Sequence, residues 1–90
     1  MLESNPLVSN QNAELLADIK DVILFNDDFN TFDFVIQSLV EVCGHDPEQA
    51  EQCALIVHFN GKCAIKSGSF SDMKPIYREL LNRQLTVEIK

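Results

Sequence analysis

The chain has 90 residues, 46% of them hydrophobic, a length that allows one domain with one modest core. Its 14 acidic and seven basic residues give a net charge of −7. The scarcity of Lys and Arg excludes a nucleic acid as partner, because affinity for a phosphate backbone comes from clusters of these residues. The three cysteines fit neither a disulfide framework nor a zinc ribbon, and no apolar run approaches the roughly 18 residues of a membrane span, so we expect a cytoplasmic protein without membrane contact.

Residues 1–18 are predicted to form a flexible arm, since residues 1–12 are rich in Asn and Ser and hold only scattered apolar side chains. Apolar positions within residues 13–20 allow a helical turn or two. The folded domain is expected over residues 19–90. It begins with a strand at residues 21–25, where a continuous apolar run of β-formers indicates burial in a sheet.

Two helices are predicted next. The first is capped by Asn30 or Thr31, repeats apolar residues at three- and four-residue spacing, and ends at Gly44. The second begins at Asp46, a capping carboxylate that precedes a proline in the first helical position, and it ends near Gly61. The predicted buried face of this second helix consists of Ala50, Cys53, Ala54 and Val57.

A short strand over residues 62–67, a helix and a last strand over residues 85–90 are predicted for the rest of the chain. The helix is expected to open at Ser71 after a turn that starts at Gly68. Its predicted buried stripe consists of Ile76, Tyr77, Leu80 and Leu81. The order is βααβαβ, for which the simplest solution is a two-layer α+β fold with helices on one face of a three-stranded, mainly antiparallel sheet.

Polar side chains gather where the first strand should end. Asn26, Asp27 and Asp28 follow that strand, and the turn between the two packed helices can bring His58 to the same place. An amide oxygen, carboxylates and a neutral imidazole form an acceptor cluster that suits an ammonium group, which only donates. By themselves the residues fit a structural interpretation somewhat better, with an Asx turn at Asn26, a helix cap at Asp28 and a solvated His58.

The charge is also uneven, since residues 1–60 carry −10 and residues 61–90 carry +3. An acidic field favours cationic ligands, although a surplus of carboxylates more commonly serves solubility. Phe32 and Val35 on the first helix, with Ala54 and Val57 on the second, would lie beside the polar cluster. Their spacing is that of core residues, but the small Ala54 opposite Phe32 could leave an apolar cavity. Both interpretations stay open from the residues alone.

Catalytic and metal chemistry has less support. Asp27 and Asp28 are adjacent, so they point to opposite sides of an extended segment. Cys43 and His45 have no orienting third group and no oxyanion hole between them. His45 with the acids after it makes a loose metal set, because Asp46 is better used as a cap. We therefore predict no enzyme activity, no metal and no cofactor.

Three stretches match a known family. They are Val-Ile-Leu-Phe-Asn-Asp-Asp-Phe from Val22, Phe-Val-Ile from Phe34, and Val-His-Phe-Asn-Gly-Lys from Val57. They resemble the ClpS family, the adaptor proteins of the Clp ATP-dependent protease, and the resemblance covers residues 21–65. The spacing of 32 residues from Asn26 to His58 is also similar to that of the family.

The resemblance implies the fold of the ribosomal stalk protein's C-terminal domain and a role in the N-end rule. It implies a non-enzymatic, monomeric adaptor that takes N-degron substrates to a ClpA- or ClpC-like AAA+ unfoldase, with the arm entering the unfoldase. Asn26, Asp27 and His58 would bind the substrate's α-amino group, and Asp28 and Asn30 would contact the start of its backbone. The bulky first side chain would enter a hydrophobic pocket lined by Phe32, Val35, Ala54 and Val57.

Some features depart from the family pattern. Phe32 and Ala54 stand where the family usually has Met, so the accepted side chain could differ from Leu, Phe, Tyr and Trp, and Asn30 replaces a usual Thr. Residues 66–85 are shorter than the family's region for docking on the unfoldase, so its identity stays open. The alternative from another class is a ribosomal-stalk-like interaction module that ignores free α-amines, and a Cys-dependent hydrolase is the third hypothesis.

Overall fold

The chain is described by a computed structural model covering residues 18–90. The elements follow the predicted order: β1 (Ile19–Phe25), α1 (Phe32–Cys43), α2 (Pro47–Asn60), β2 (Lys62–Ser69), α3 (Phe70–Asn82) and β3 (Val87–Ile89). The predicted arm lies outside the described residues except for Asp18. The helical turn predicted within residues 13–20 is wrong at its end, because Ile19 and Lys20 pair with Ser69 and Gly68 as part of β1.

β1 is the centre of a three-stranded antiparallel sheet with the order β2–β1–β3. Its pairing with β2 runs to Phe25 opposite Lys62 and is interrupted by a bulge after Val22. The side chains of Val22 and Leu24 are buried beneath the helices. β1 uses both of its edges for hydrogen bonds, and its burial alternates, because the helices cover one face while Ile23 and Phe25 on the other face are half-buried. The α+β prediction is confirmed.

Local capping chemistry sets the ends of the first two helices. The Thr31 hydroxyl accepts a hydrogen bond from the Phe34 N–H at 3.1 Å, and Asp46 Oδ1 accepts one from the Gln49 N–H at 2.8 Å. Gly44 ends α1 in the left-handed region with φ of 73°. A residue with a side chain adopts this φ only at a cost, so glycine is the favoured terminator. The predicted helices are confirmed at these positions.

The start of the third helix was predicted two residues too late. Ser69, not Ser71, is the cap, and its hydroxyl accepts a hydrogen bond from the Asp72 N–H at 3.1 Å. The reason lies in the sheet, because β1 begins at Ile19 and pairs with Ser69, which carries β2 through the expected turn. Both serines can serve as caps, and strand pairing decides between them.

The helices pack on the sheet around one core. α3 contacts all three strands, while α1 and α2 pack against each other and contact β2. The buried stripe of α3 is centred on Met73 and Leu80, so the predicted burial of Leu81 is wrong and its side chain is 42% exposed at the edge of the stripe. The core cluster consists of Val22, Leu24, Leu39, Cys43, Ala50, Val57, Ile65, Met73, Leu80, Leu85 and Val87.

The end of β1 lies between two other parts of the fold. The Phe25 N–H donates to the Thr86 carbonyl at 2.8 Å, and the Asn26 N–H donates to the Gly61 carbonyl at 2.9 Å. The loop after β1 is thereby fixed between the end of α2 and the start of β3. Within residues 18–90, no helix is both long enough and apolar enough to cross a membrane.

Candidate functional site

A cavity of about 400 Å³ opens at the end of β1, within the roughly 300–1,000 Å³ typical of ligand pockets. Three parts of the fold build it: the loop after β1, the first turn of α1 and the second half of α2. The lining consists of Asn26, Asp27, Asp28, Asn30, Phe32, Val35, Ala54, Val57 and His58. The structure therefore brings together all nine residues that the sequence singled out, while their individual roles stay predictions.

The apolar wall of the cavity comes from the two packed helices. Ala54 and Val57 on α2 are only 3% and 5% exposed, and Val35 on α1 is half-buried. Phe32, in the first turn of α1, keeps 39% of its surface exposed although it lines the cavity. The short side chain of Ala54 leaves room that a longer side chain at this position of α2 would occupy.

Asp27 organises the polar side of the cavity. Its Oδ1 accepts hydrogen bonds from the N–H groups of Phe29 at 2.9 Å and Asn30 at 2.8 Å. Its Oδ2 accepts from Asn30 Nδ2 at 2.9 Å and from the Thr86 hydroxyl at 3.0 Å. A carboxylate offers about four acceptor positions, so these four donors use its capacity within the protein. Asp27 can therefore act on a ligand mainly through its negative charge, and less by accepting further hydrogen bonds.

Hydrogen bonding keeps that charge in place. Partial burial acts to raise the pKa of Asp27, but hydrogen bonds from the backbone and side chain of Asn30, from Phe29 and from Thr86 outweigh it and lower the pKa below its ordinary value. Asp27 is therefore ionised at neutral pH. The cavity has a fixed anionic group at its polar end.

The structural interpretation placed an Asx turn at Asn26 and a helix cap at Asp28. The structure has both a turn and a cap here, but other residues form them. Asp27, not Asn26, forms the turn with the residues two and three positions later. Thr31, not Asp28, caps the helix. The side chains of Asn26 and Asp28 are consequently left exposed at the cavity, where they can contact a ligand.

His58 lies in the last turn of α2 and is exposed to solvent at the cavity. Its ring meets that of Phe59 edge to face, with centroids 4.8 Å apart and planes inclined by 79°. The Phe59 ring is 76% exposed. A neutral imidazole offers one acceptor nitrogen, and His58 lines the same cavity as Asn26.

Sequence reasoning missed the support that the segment before β3 gives this site. Thr86 binds Asp27, and the carbonyl of Gln84 accepts a hydrogen bond from Asn30 Nδ2 at 3.0 Å. Thr86 sits at an outward position of an alternating strand, where a threonine is ordinary. No local signal in the sequence distinguishes it from a surface residue.

Cys43 and His45, which were also weighed for catalysis, lie outside the cavity lining. His45 is buried, with its Nε2 2.7 Å from the Ile65 carbonyl oxygen. Burial raises the pKa of the Cys43 thiol to about 11, whereas a nucleophilic cysteine needs a lowered pKa. Across residues 18–90, no group of three or more His, Cys, Asp or Glu side chains could hold a metal ion.

The fold and the cavity define a class of protein: a small two-layer α+β binding domain with an acceptor cluster at one end of an apolar pocket. A family model described as ATP-dependent Clp protease adaptor protein ClpS matches residues 19–87. The chain therefore belongs to the ClpS family, as its sequence motifs predicted.

Relatives named ATP-dependent Clp protease adapter protein ClpS agree with this assignment. The protein of Sodalis glossinidius is 38% identical over 62% of this chain and 55% of its own length. That of Neisseria meningitidis is 38% identical over 66% of this chain and 64% of its own length. The chain thus spans less than two thirds of these two relatives. The protein of Pectobacterium carotovorum is 32% identical over 82% of this chain and 74% of its own length.

A solved structure has the same fold. Agrobacterium tumefaciens ClpS2 bound to L-phenylalaninamide matches with a TM-score of 0.75 and 18% sequence identity, over 81% of this chain and 95% of that chain. At this identity the likeness shows the shared fold alone. It agrees with the three-stranded antiparallel sheet and three helices described above.

Proposed function

We propose that this protein is a non-enzymatic adaptor that binds the free α-amino group and the bulky hydrophobic first side chain of N-degron substrates and delivers them to a ClpA- or ClpC-like AAA+ unfoldase. The observation that carries the proposal is the cavity itself, in which exposed acceptors and an ionised carboxylate stand at one end of an apolar wall. A substrate with an ammonium group beside a hydrophobic side chain complements both parts.

The ammonium group would lie between Asn26, Asp27 and His58. It offers three N–H donors and no acceptor, so the Asn26 amide oxygen and the His58 imidazole can each accept one hydrogen bond. Asp27 contributes its charge, since protein donors already occupy its oxygens. Hydrogen bonds that involve a charged group typically contribute about 1.5–3 kcal/mol each.

The first side chain of the substrate would enter the apolar part of the cavity, lined by Phe32, Val35, Ala54 and Val57. Full burial of a large apolar side chain contributes about 1.5–3 kcal/mol. The free wall space at Ala54 favours long and aromatic side chains, and Phe32 offers a ring for them to pack against.

The start of the substrate backbone would meet Asp28 and Asn30. Both N–H groups of the Asn30 side chain are engaged, one with Asp27 and one with the Gln84 carbonyl. The amide oxygen is therefore the part of Asn30 that is left for a substrate N–H. The exposed carboxylate of Asp28 can accept a second one.

The comparisons support the same proposal. The family is described as adaptors of the ATP-dependent Clp protease, which favours a delivery role without catalysis. The ligand of the Agrobacterium protein, L-phenylalaninamide, combines a free α-amino group with a benzyl side chain. These are the two groups that the cavity of this chain suits.

Peptide titration tests the proposal. Fluorescent peptides that begin with Phe, Leu, Trp or Tyr are compared with N-acetylated copies and with a peptide that begins with Ser. We expect acetylation to weaken binding about tenfold or more, because it removes the charge and leaves polar groups of the site unpaired. Equal affinity for free and acetylated peptides would contradict the proposal and favour a ribosomal-stalk-like interaction module.

A further inference from the structure

The segment just before β3 forms hydrogen bonds with the loop that carries the polar side of the cavity. The Thr86 hydroxyl donates to Asp27 Oδ2 at 3.0 Å, and Asn30 Nδ2 donates to the Gln84 carbonyl at 3.0 Å. These contacts join residues 59 and 54 positions apart in the chain. Neither Gln84 nor Thr86 lines the cavity, so both act on it through other residues.

The two oxygens of Asp27 are held by different parts of the chain. Oδ1 is held by backbone N–H groups of its own turn, at Phe29 and Asn30. Oδ2 is held by side chains, from Asn30 and from Thr86. Terminal carboxylate torsions are broad, and both oxygens move together when the carboxylate turns about its Cβ–Cγ bond. The side-chain donors to Oδ2 therefore add to the restraint that the backbone N–H groups place on Oδ1, and the Thr86 hydroxyl is the part of this restraint that comes from outside the loop.

The backbone before Thr86 is itself fixed. Gln84 has a φ of 65°, in the left-handed region that a residue with a side chain rarely adopts. The preceding Arg83 bonds Glu41 of α1 at 2.8 Å and Glu79 of α3 at 3.3 Å. At Thr86 itself, the backbone carbonyl accepts a hydrogen bond from the Phe25 N–H at 2.8 Å, which ties the segment to the end of β1. The Gln84 carbonyl and the Thr86 hydroxyl are thus presented to the loop by a constrained segment.

We propose that Thr86 is a positioning residue for recognition of the substrate ammonium group, and that it acts by fixing the Asp27 carboxylate beside Asn26 and His58. Asn30 assists by bridging Asp27 to Gln84. The inference rests on the proposed function for its binding consequence, but the link between Thr86 and Asp27 can be measured without any substrate. Asp28 and His58 are the other titratable side chains that line the cavity.

The test uses Thr86→Val, which keeps the shape and strand preference of the residue and removes the hydroxyl, and Thr86→Ser, which restores a hydroxyl. Glu88→Gln is the matched control, because Glu88 is an exposed residue two positions after Thr86, and its side chain pairs with Lys90 and not with Asp27. Thermal unfolding establishes that each variant is folded, and Thr86→Ala replaces Thr86→Val if the valine variant is not.

The first readout is binding of a peptide that begins with Phe. We expect Thr86→Val to weaken it about two- to tenfold, the range for loss of one hydrogen bond, and Thr86→Ser and Glu88→Gln to stay near the wild type. The weak residual binding of the acetylated peptide should be the same in all four proteins. Unchanged affinity of Thr86→Val would overturn the positioning role.

The second readout is the titration of the Asp27 side-chain carboxyl, followed by carbon NMR on the full chain without peptide. Loss of a donor to the ionised form should move the titration midpoint to higher pH in Thr86→Val and return it in Thr86→Ser. The same midpoint in all variants would overturn the link between Thr86 and Asp27. If the wild type fails to distinguish acetylated peptides while the midpoint moves, the proposed function fails and the link to Asp27 stands.

Discussion

At the scale of single residues, the site depends on Asp27 more than on its neighbours. Its carboxylate shapes the loop through Phe29 and Asn30 and provides a hydrogen-bonded negative charge at the cavity. The sequence predicted Asp27 as part of the site but assigned the turn to Asn26. Three Asn or Asp residues in a row can each form such a turn, and in the fold Asp27 also accepts a hydrogen bond from Thr86, 59 residues away, which no local pattern predicts.

Asp27 should make stability depend on acid pH. Its pKa in the folded chain is lower than the ordinary value of 3.8, so its stabilising effect is complete above that value and is lost as the pH falls through the folded-state pKa. We expect the free energy of unfolding in urea to fall more between about pH 5 and pH 2 in the wild type than in Asp27→Asn. An equal loss in both proteins would show that Asp27 carries none of this dependence.

The two histidines should respond in opposite ways to replacement by alanine. His58→Ala should lower affinity for a free N-terminal peptide about tenfold and leave thermal unfolding unchanged, because the ring is exposed at the cavity. His45→Ala should lower stability by about 2 kcal/mol, because a buried ring that bonds the Ile65 carbonyl is lost. A His58→Ala variant that loses folded protein would instead indicate a structural role.

At the scale of elements, what the sequence could predict depends on whether local chemistry or pairing sets the boundary. Thr31 and Asp46 begin helices through hydrogen bonds to residues three positions later, and Gly44 ends a helix through its own φ value. These helix boundaries were predicted. Ser69 caps α3 because β2 pairs with the extended start of β1, and that was not predicted. Much of the cavity follows the first pattern, since its loop and the first turn of α1 lie beside Thr31, and His58 lies in the last turn of α2, which Gly61 ends.

The wall of α2 should control which first side chain is accepted. Ala54→Met would place a longer side chain in the cavity, so we expect affinity for peptides that begin with Trp to fall more than affinity for those that begin with Leu, as measured by competition binding. Leu55→Met is the control, because Leu55 is the exposed neighbour on the same helix. Overpacking can cost about 1–3 kcal/mol, so urea unfolding accompanies the comparison. Equal losses for Trp and Leu would show that Ala54 does not set pocket size.

At the scale of the whole molecule, the cavity lining found among residues 18–90 lies within residues 26–58, and its support from distant parts of the chain comes from Gly61 and from residues 84–86. The sequence predicted the order of elements that brings these parts together, because hydrophobic periods and caps define each one. The contact of the loop with Gln84 and Thr86 could not be predicted from the sequence, since it depends on the register with which β3 pairs with β1.

Peptide recognition and delivery should separate when the predicted arm is removed. A chain that lacks residues 1–18 retains every residue that lines the cavity, so we expect its peptide affinity to equal that of the full chain. Degradation of a fluorescent N-degron protein by a ClpA- or ClpC-type protease should fall to the level without adaptor. Degradation that persists at the full rate would show that the arm has no part in delivery.

The hydrogen bond from Thr86 to Asp27 also bears on when the cavity becomes complete during synthesis of the chain. Translation releases the nine residues of the lining long before it releases the segment that steadies them. A nascent chain that ends within α3 therefore contains all nine lining residues but lacks Thr86. If Thr86 has the positioning role proposed above, the chain reaches full affinity for substrates only late in synthesis, after β3 has paired with β1.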